Sequence, residues 1–113
     1  MRHLWLLRKM ILAVAILFAN NAYSAGWTPE LTVSSAFTEN SDLVVIYTSG
    51  GGAYTPNCSA NAWIFVGDTD ARRGRAYATI MTAIATGKKV KFWYGDVCAA
   101  WGYHQATSVM LVN

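Results

Sequence analysis

The sequence predicts a mainly β domain with one helix. Five strands run in the order strand, strand, strand, helix, strand, strand, which is the chain order of an OB-type barrel. Three observations predict it. Short β-branched and aromatic runs recur between turn-forming residues. One stretch, Asp68 to Gly87, carries helix-start and helix-stop chemistry. Two cysteines, Cys58 and Cys98, precede the third strand and follow the fourth, so a bridge between them would draw those strand ends together.

Before the first strand, Arg2, Arg8 and Lys9 lead into an uncharged apolar run, Met10 to Ala19. The small residues Ala22, Ser24, Ala25 and Gly26 follow. This is the three-part pattern of a secretory signal peptide, and the run is too short to span a bilayer. Residues 1–24 are therefore expected to be a leader, cut after Ser24 or Ala25. Residues 25–113 are expected to be one domain, secreted or periplasmic, without a membrane span. The nine Lys and Arg include three in the leader, and the other six balance the six Asp and Glu. The formal net charge of +3 thus belongs to the leader, and a basic footprint for nucleic acid is not expected.

A domain this small gains from a covalent staple. In an oxidising compartment the two cysteines allow one pairing, Cys58 with Cys98. Their spacing and the absence of further ligands do not fit a metal site.

The elements follow in order. Thr28-Pro29 opens the domain in extended conformation, because the residue before proline avoids the helical region. Leu31 to Thr38 (LTVSSAFT) is the first strand, with Leu31, Val33 and Phe37 on one face. Glu39 to Asp42 reads as a turn. Leu43 to Thr48 (LVVIYT) is the second strand, apolar enough to be covered on both faces. Ser49 to Asn61 is a loop, since Gly50, Gly51, Gly52 and Pro56 exclude regular structure. It contains the glycosylation sequon Asn57-Cys58-Ser59, a pattern short enough to recur by chance. Ala62 to Val66 is the third strand.

Asp68-Thr69-Asp70 supplies N-cap chemistry, and Gly87 closes the helix. Tyr77, Ile80, Met81 and Ile84 form the expected core stripe. Lys89 to Gly95 is the fourth strand, with Val90, Phe92 and Tyr94 on one face and Lys89, Lys91 and Trp93 on the other. Asp96 to Gln105 is a loop, and Ala106 to Val112 is the fifth strand.

The second side of the helix has no charge between Ala76 and Gly87. A solvent-facing side normally carries Lys, Glu or Arg. Ala78, Thr79, Thr82 and Thr86 are therefore expected to be covered by another subunit; an ordinary polar surface of threonines is the alternative.

Nothing in the sequence assembles an active site. No nucleophile elbow accompanies His104, and Gly50-Gly51-Gly52 lacks the lysine and helix of a phosphate loop. His104 is expected on a loop surface. The chain is read as a binding protein and not an enzyme, with no cofactor and no metal. Arg72, Arg73 and Arg75 read as a solvated patch balanced by Asp68 and Asp70, with an anion contact as the alternative. The aromatics are the stronger sign of binding. Trp93, Trp101 and Tyr103 gather around the fourth strand and the loop after it, with Asp96 and His104 as polar partners. Trp and Tyr rings pack on apolar faces such as those of sugars, and a few placed polar groups fix the hydroxyls.

Several strings also carry a family resemblance: Gly26-Trp27-Thr28, Tyr77 in the helix, Ala85-Thr86-Gly87-Lys88-Lys89-Val90 at its end, and Lys91-Phe92-Trp93-Tyr94 beyond. In these the chain resembles the B subunits of bacterial AB-type toxins, closest to the subtilase cytotoxin and pertussis-like subunits. The resemblance implies a ring of five OB-fold copies, helices lining a central pore, and binding of a cell-surface glycan. It also implies a sugar-contacting serine, for which Ser34 and Ser35 are candidates by location and Ser35 is carried forward. The expected function is a secreted, oligomeric glycan-binding module. The alternative is a monomeric secreted or periplasmic protein-binding factor, such as an inhibitor.

Overall fold

The computed structural model describes residues 25–39 and 42–113. The expected leader lies outside the described residues, as do Asn40 and Ser41 of the predicted turn. The elements are β1 (Gly26–Trp27), β2 (Thr32–Thr38), β3 (Val44–Ser49), β4 (Ser59–Phe65), α1 (Asp70–Thr86), β5 (Lys89–Cys98), a short 3-10 turn (Ala100–Gly102) and β6 (Tyr103–Val112).

These strands form one mixed, open sheet in the order β1-β5-β6-β4-β3-β2. Only β4 and β6 pair in parallel; the other named pairs are antiparallel. The expected closed barrel of five strands is corrected here to an open sheet of six. The sixth strand is Gly26–Trp27, ahead of the predicted first strand, and Pro29, which has no N–H to donate, lies between it and β2. Before it, β1 pairs with β5; after it, β2 pairs with β3 at the other edge. Between the two, the chain stays fastened to β5. Thr28 donates from N to Phe92 O at 2.9 Å, and its hydroxyl accepts from Phe92 N at 3.0 Å. Leu31 and Val90 exchange both backbone bonds, at 2.8 and 2.9 Å.

The hairpin of β5 and β6 is longer than the sequence implies. Asp96 to Cys98 and Tyr103 to Gln105 belong to the strands, and Cys98 pairs with His104. Register shifts after Trp93 and after Tyr94 break the period-2 alternation, which hid these residues in an apparent loop. The bridge between Cys58 and Cys98 forms as expected, closing a loop with a sequence separation of 40. Such a closure contributes about 4 kcal/mol on the chain-entropy model.

The helix has the expected ends. The Thr69 hydroxyl accepts from Arg72 N at 3.1 Å, and Gly87 ends the helix at φ 70°. Asp68 and Asp70 do not cap; they pair with Arg72 and Arg73. The core stripe is corrected. Ala76, Ile80 and Ala83 are the buried positions, with Tyr77 packed partly against them. Met81 and Ile84 are 42% and 39% exposed. Two alanines let the helix lie close to a core built on Trp63 and Phe92, whose rings stack at 4.8 Å. The larger Met81 and Ile84 fall to the flank.

Ile80→Ala is expected to cost about 2–5 kcal/mol of unfolding free energy, as for a fully buried aliphatic side chain. Met81→Ala is expected to cost less than about 1 kcal/mol in dilute protein. Urea denaturation of both variants checks this; equal losses would mean that the predicted stripe, and not the observed one, is the core.

Candidate functional site

A row of four aromatic rings crosses the sheet face opposite the helix. It exists because of one alanine. Val44 and Ile46 point into the core from β3, so the next residue, Tyr47, points outward. On β6, His104 and Ala106 are buried and Tyr103 points the other way. Between these strands lies β4, which presents Ala62, the register partner of Tyr47. A methyl group is short enough for the two tyrosines to meet above it. Their hydroxyls are 3.0 Å apart and their rings 5.9 Å, inclined at 71°. This hydrogen bond, helped by partial desolvation, raises the pKa of Tyr47 above the usual phenol value.

The row continues on both sides. Phe37 stacks on Tyr47 at 6.1 Å, and Trp101 meets Tyr103 edge-on at 5.6 Å. The two ends are open to solvent: Trp101 is 54% exposed and Phe37 38%. Trp101 is held in the left-handed region, φ 61°, and Gly102 follows at φ 71°. A bulky residue there is uncommon and costs about 1–2 kcal/mol. That backbone turns the chain at the tip of the β5–β6 hairpin, where the indole meets Tyr103.

A bulge in β2 explains why Phe37 belongs to this face. The register shifts between Val33 and Ser35. Val33 is buried, but after the shift Ala36 packs toward the core, and Ser35 and Phe37 turn outward. The expected grouping of Phe37 with Leu31 and Val33 is thereby corrected. Ser34 donates to Tyr47 O at 3.0 Å. Ser35, the register partner of Tyr47, has a hydroxyl with no hydrogen-bond partner among the described residues.

The expected site is therefore divided. Trp101 and Tyr103 are in contact, and Tyr47 links them to Phe37 and to its register partner Ser35 across the sheet. Trp93 does not join them. It pairs with Trp27 on β1 and Ser108 on β6, and the two indoles meet edge-on at 5.5 Å. Tyr103 and Ser108 are five positions apart on β6, on the order of 15 Å at strand rise. Asp96 is exposed on β5 and makes no hydrogen bond to Trp101 or Tyr103 among the described residues. The sequence reading of LVVIYT as covered on both faces did not single out Tyr47, and nothing in the sequence marks the bulge that adds Phe37.

His104 is corrected most sharply. It is fully buried, not a surface loop residue. Its ring stacks on Trp63 at 4.6 Å and lies 5.9 Å from Tyr54. The Thr55 N–H donates to Nε2 at 3.3 Å, so Nε2 carries no proton. Nδ1 then holds the proton and donates to Ser59 O at 2.5 Å. Thr55 also donates from its hydroxyl to Gly95 O at 2.8 Å. The imidazole thus ties the glycine-rich loop to the hairpin that carries Trp101.

The helix side expected to meet a partner has a definite chemistry. Ala78, Thr82 and Thr86 are exposed and Thr79 is half-buried. Each threonine hydroxyl donates to the carbonyl one turn back: Thr79 to Arg75 at 3.1 Å, Thr82 to Ala78 at 2.9 Å, Thr86 to Thr82 at 2.6 Å. Their donors are spent inside the helix, so methyl groups dominate what the face presents.

Among the described residues no helix is long and apolar enough to cross a membrane, and no group of three or more His, Cys, Asp or Glu is placed to hold a metal ion. Together these features define a disulfide-bonded β domain with an aromatic row on its open sheet face. No protein-family model matches the chain, and no curated protein matches it either.

Burial lowers the pKa of His104 below its ordinary 6.5, against a smaller opposing effect of the Ser59 carbonyl. The unfolded chain therefore takes up a proton that the folded chain refuses. Stability is full above pH 6.5 and falls as the pH drops toward the folded-state pKa. Imidazole NMR of the native protein should show His104 titrating below 6.5, and unfolding free energy should decline from pH 7 to pH 5. A native value above 6.5 would contradict the buried neutral ring.

Proposed function

We propose that the chain is a secreted or periplasmic, non-enzymatic binding module that takes a glycan on the outer aromatic row. The observation that carries this is the run Phe37–Tyr47–Tyr103–Trp101, with both ends exposed and Ser35 the register partner of Tyr47. A sugar ring offers an apolar C–H face to stacked aromatics and a rim of hydroxyls to nearby polar groups. Ser35 and the paired phenols are such groups, and they require no charge from the ligand.

The sheet supports an OB-type reading of the fold. Taken as one strand broken at Pro29, β1 and β2 pair with both β3 and β5, and the helix lies between β4 and β5. OB folds bind oligosaccharides and oligonucleotides on the face of their second and third strands and through adjoining loops, one of them between the last two strands. Tyr47 lies on the second of these strands, and Trp101 on the turn before the last. The balanced charge after residue 24 favours the saccharide. The two hydrogen bonds of His104 support a structural and not a catalytic role for the one histidine beyond the leader.

The helix face supports assembly with further copies of the chain. Its threonine donors are satisfied internally, and Met81 and Ile84 are exposed beside it. A ring of five, as the resemblance to toxin B subunits implies, is the form of assembly proposed.

A glycan array probed with the oxidised protein is expected to give hits. Trp101→Ala should weaken them at least about tenfold, as for a tryptophan that contacts the ligand directly. Trp93→Ala should leave them unchanged, and light scattering should show a closed oligomer. No hits with intact protein would overturn the sugar reading, while a monomer would overturn the ring and favour a protein-binding factor.

A further inference from the structure

A recess lies on another side of the molecule from the aromatic row, between α1 and β6. Its volume is about 220 Å³, and Phe65, Arg72, Arg75, Thr79, Ser108 and Val109 line it. That is smaller than the roughly 300–1,000 Å³ of sites that enclose a whole organic ligand. It suits a single charged group.

The three arginines of the helix divide between two tasks. Arg73 is neutralised: it pairs with the Asp70 carboxylate and donates to Gly67 O at 2.8 Å. Arg72 is held in place. Its Nη2 donates to Thr107 O at 2.7 Å, and its guanidinium carbon lies 5.8 Å from the Phe65 ring centre. Its Nη1 is 3.4 Å from Asp68 Oδ1, but that carboxylate's side chain is 77% exposed, so the pair is weak. Arg75 lies nearly one turn further on, and its guanidinium has no acceptor among the described residues.

No carboxylate lines the recess. Thr79 has turned its hydroxyl to Arg75 O, whereas Ser108 has no hydrogen-bond partner among the described residues. Arg72 also sits in the first turn of α1, where the backbone dipoles add positive potential. Two guanidinium groups, one immobilised and one uncommitted, thus face a small recess with a free hydroxyl and no acid.

We propose that this recess is an oxyanion site, binding a phosphate, sulfate or carboxylate group between Arg72 and Arg75 with Ser108 as a further donor. The planar forks of arginine match such groups bidentately, which lysine does not. The site is separate from the aromatic row and does not depend on the sugar reading.

The test is a titration of the oxidised, leader-free protein with inorganic phosphate, sulfate and acetate, with sodium chloride holding ionic strength constant. The arginine Nε–H signals report binding. Saturable shifts at Arg72 and Arg75 are expected. Arg75→Gln should weaken binding about tenfold or more, the loss for one hydrogen bond to a charged group. Arg73→Gln should leave binding unchanged. Arg75→Lys, which keeps the charge and fold, should recover only part of the affinity. Tighter phosphate and sulfate would assign a dianionic group, and tighter acetate a carboxylate. Unsaturable shifts with all three anions, or equal losses in Arg75→Gln and Arg73→Gln, would overturn the proposal.

Discussion

The neutral imidazole of His104 joins the two segments on which the outer face depends. From inside the core it receives the Thr55 N–H and donates to Ser59 O, so one ring grips both ends of the stretch that contains Cys58. The bridge from Cys58 to Cys98 fastens the same stretch to β5, and Thr55 adds a bond to Gly95 O. Three fastenings of different chemistry therefore hold an irregular loop against the β5–β6 hairpin. Because adjacent strand residues alternate sides, fixing His104 inward also fixes Tyr103 outward. The aromatic row is in this sense the reverse side of the core.

That coupling gives the outer face its rigidity. Tyr103 is anchored by its strand and by Tyr47, and Trp101 rests against Tyr103 on a left-handed backbone. Aromatic side chains held in this way lose little conformational entropy when a ligand arrives. Ala62 matters as much as the rings. A larger side chain there would stand between Tyr47 and Tyr103 and break the row at its centre.

Features set by neighbouring residues were legible in the sequence. The Thr69 cap, the Gly87 stop and the β3 strand needed only local chemistry, and the disulfide needed only two cysteines and a plausible strand order. What failed were features set by irregular pairing. The bulge at Ser34 reversed the side on which Phe37 emerges. The shifts after Trp93 and Tyr94 concealed the ends of the hairpin and separated Trp93 from Trp101. The two-residue strand Gly26–Trp27, ahead of Pro29, was too short to show in the sequence and makes a sixth strand at the edge of an open sheet. On the helix, hydrophobic spacing favoured Met81 and Ile84, but close packing against Trp63 and Phe92 chose Ala76 and Ala83. His104 was misplaced because the polar pair His104-Gln105 just after Gly102 looks like a loop until its buried partners are known. Of the residues grouped from the sequence, Trp101 and Tyr103 are in contact and Ser35 pairs in register with Tyr47, whereas Trp93 pairs with Trp27 and His104 is buried in the core.

The central claim is that ligand binds over the Tyr47–Tyr103 pair and not elsewhere on the sheet. The indole N–H signals of the tryptophans report this directly in a nitrogen-15 correlation spectrum recorded as glycan is added. The account predicts that the Trp101 signal moves in a saturable way, while the buried Trp63 and the Trp27–Trp93 pair stay still. Movement at Trp27 and Trp93 with Trp101 unchanged would contradict it.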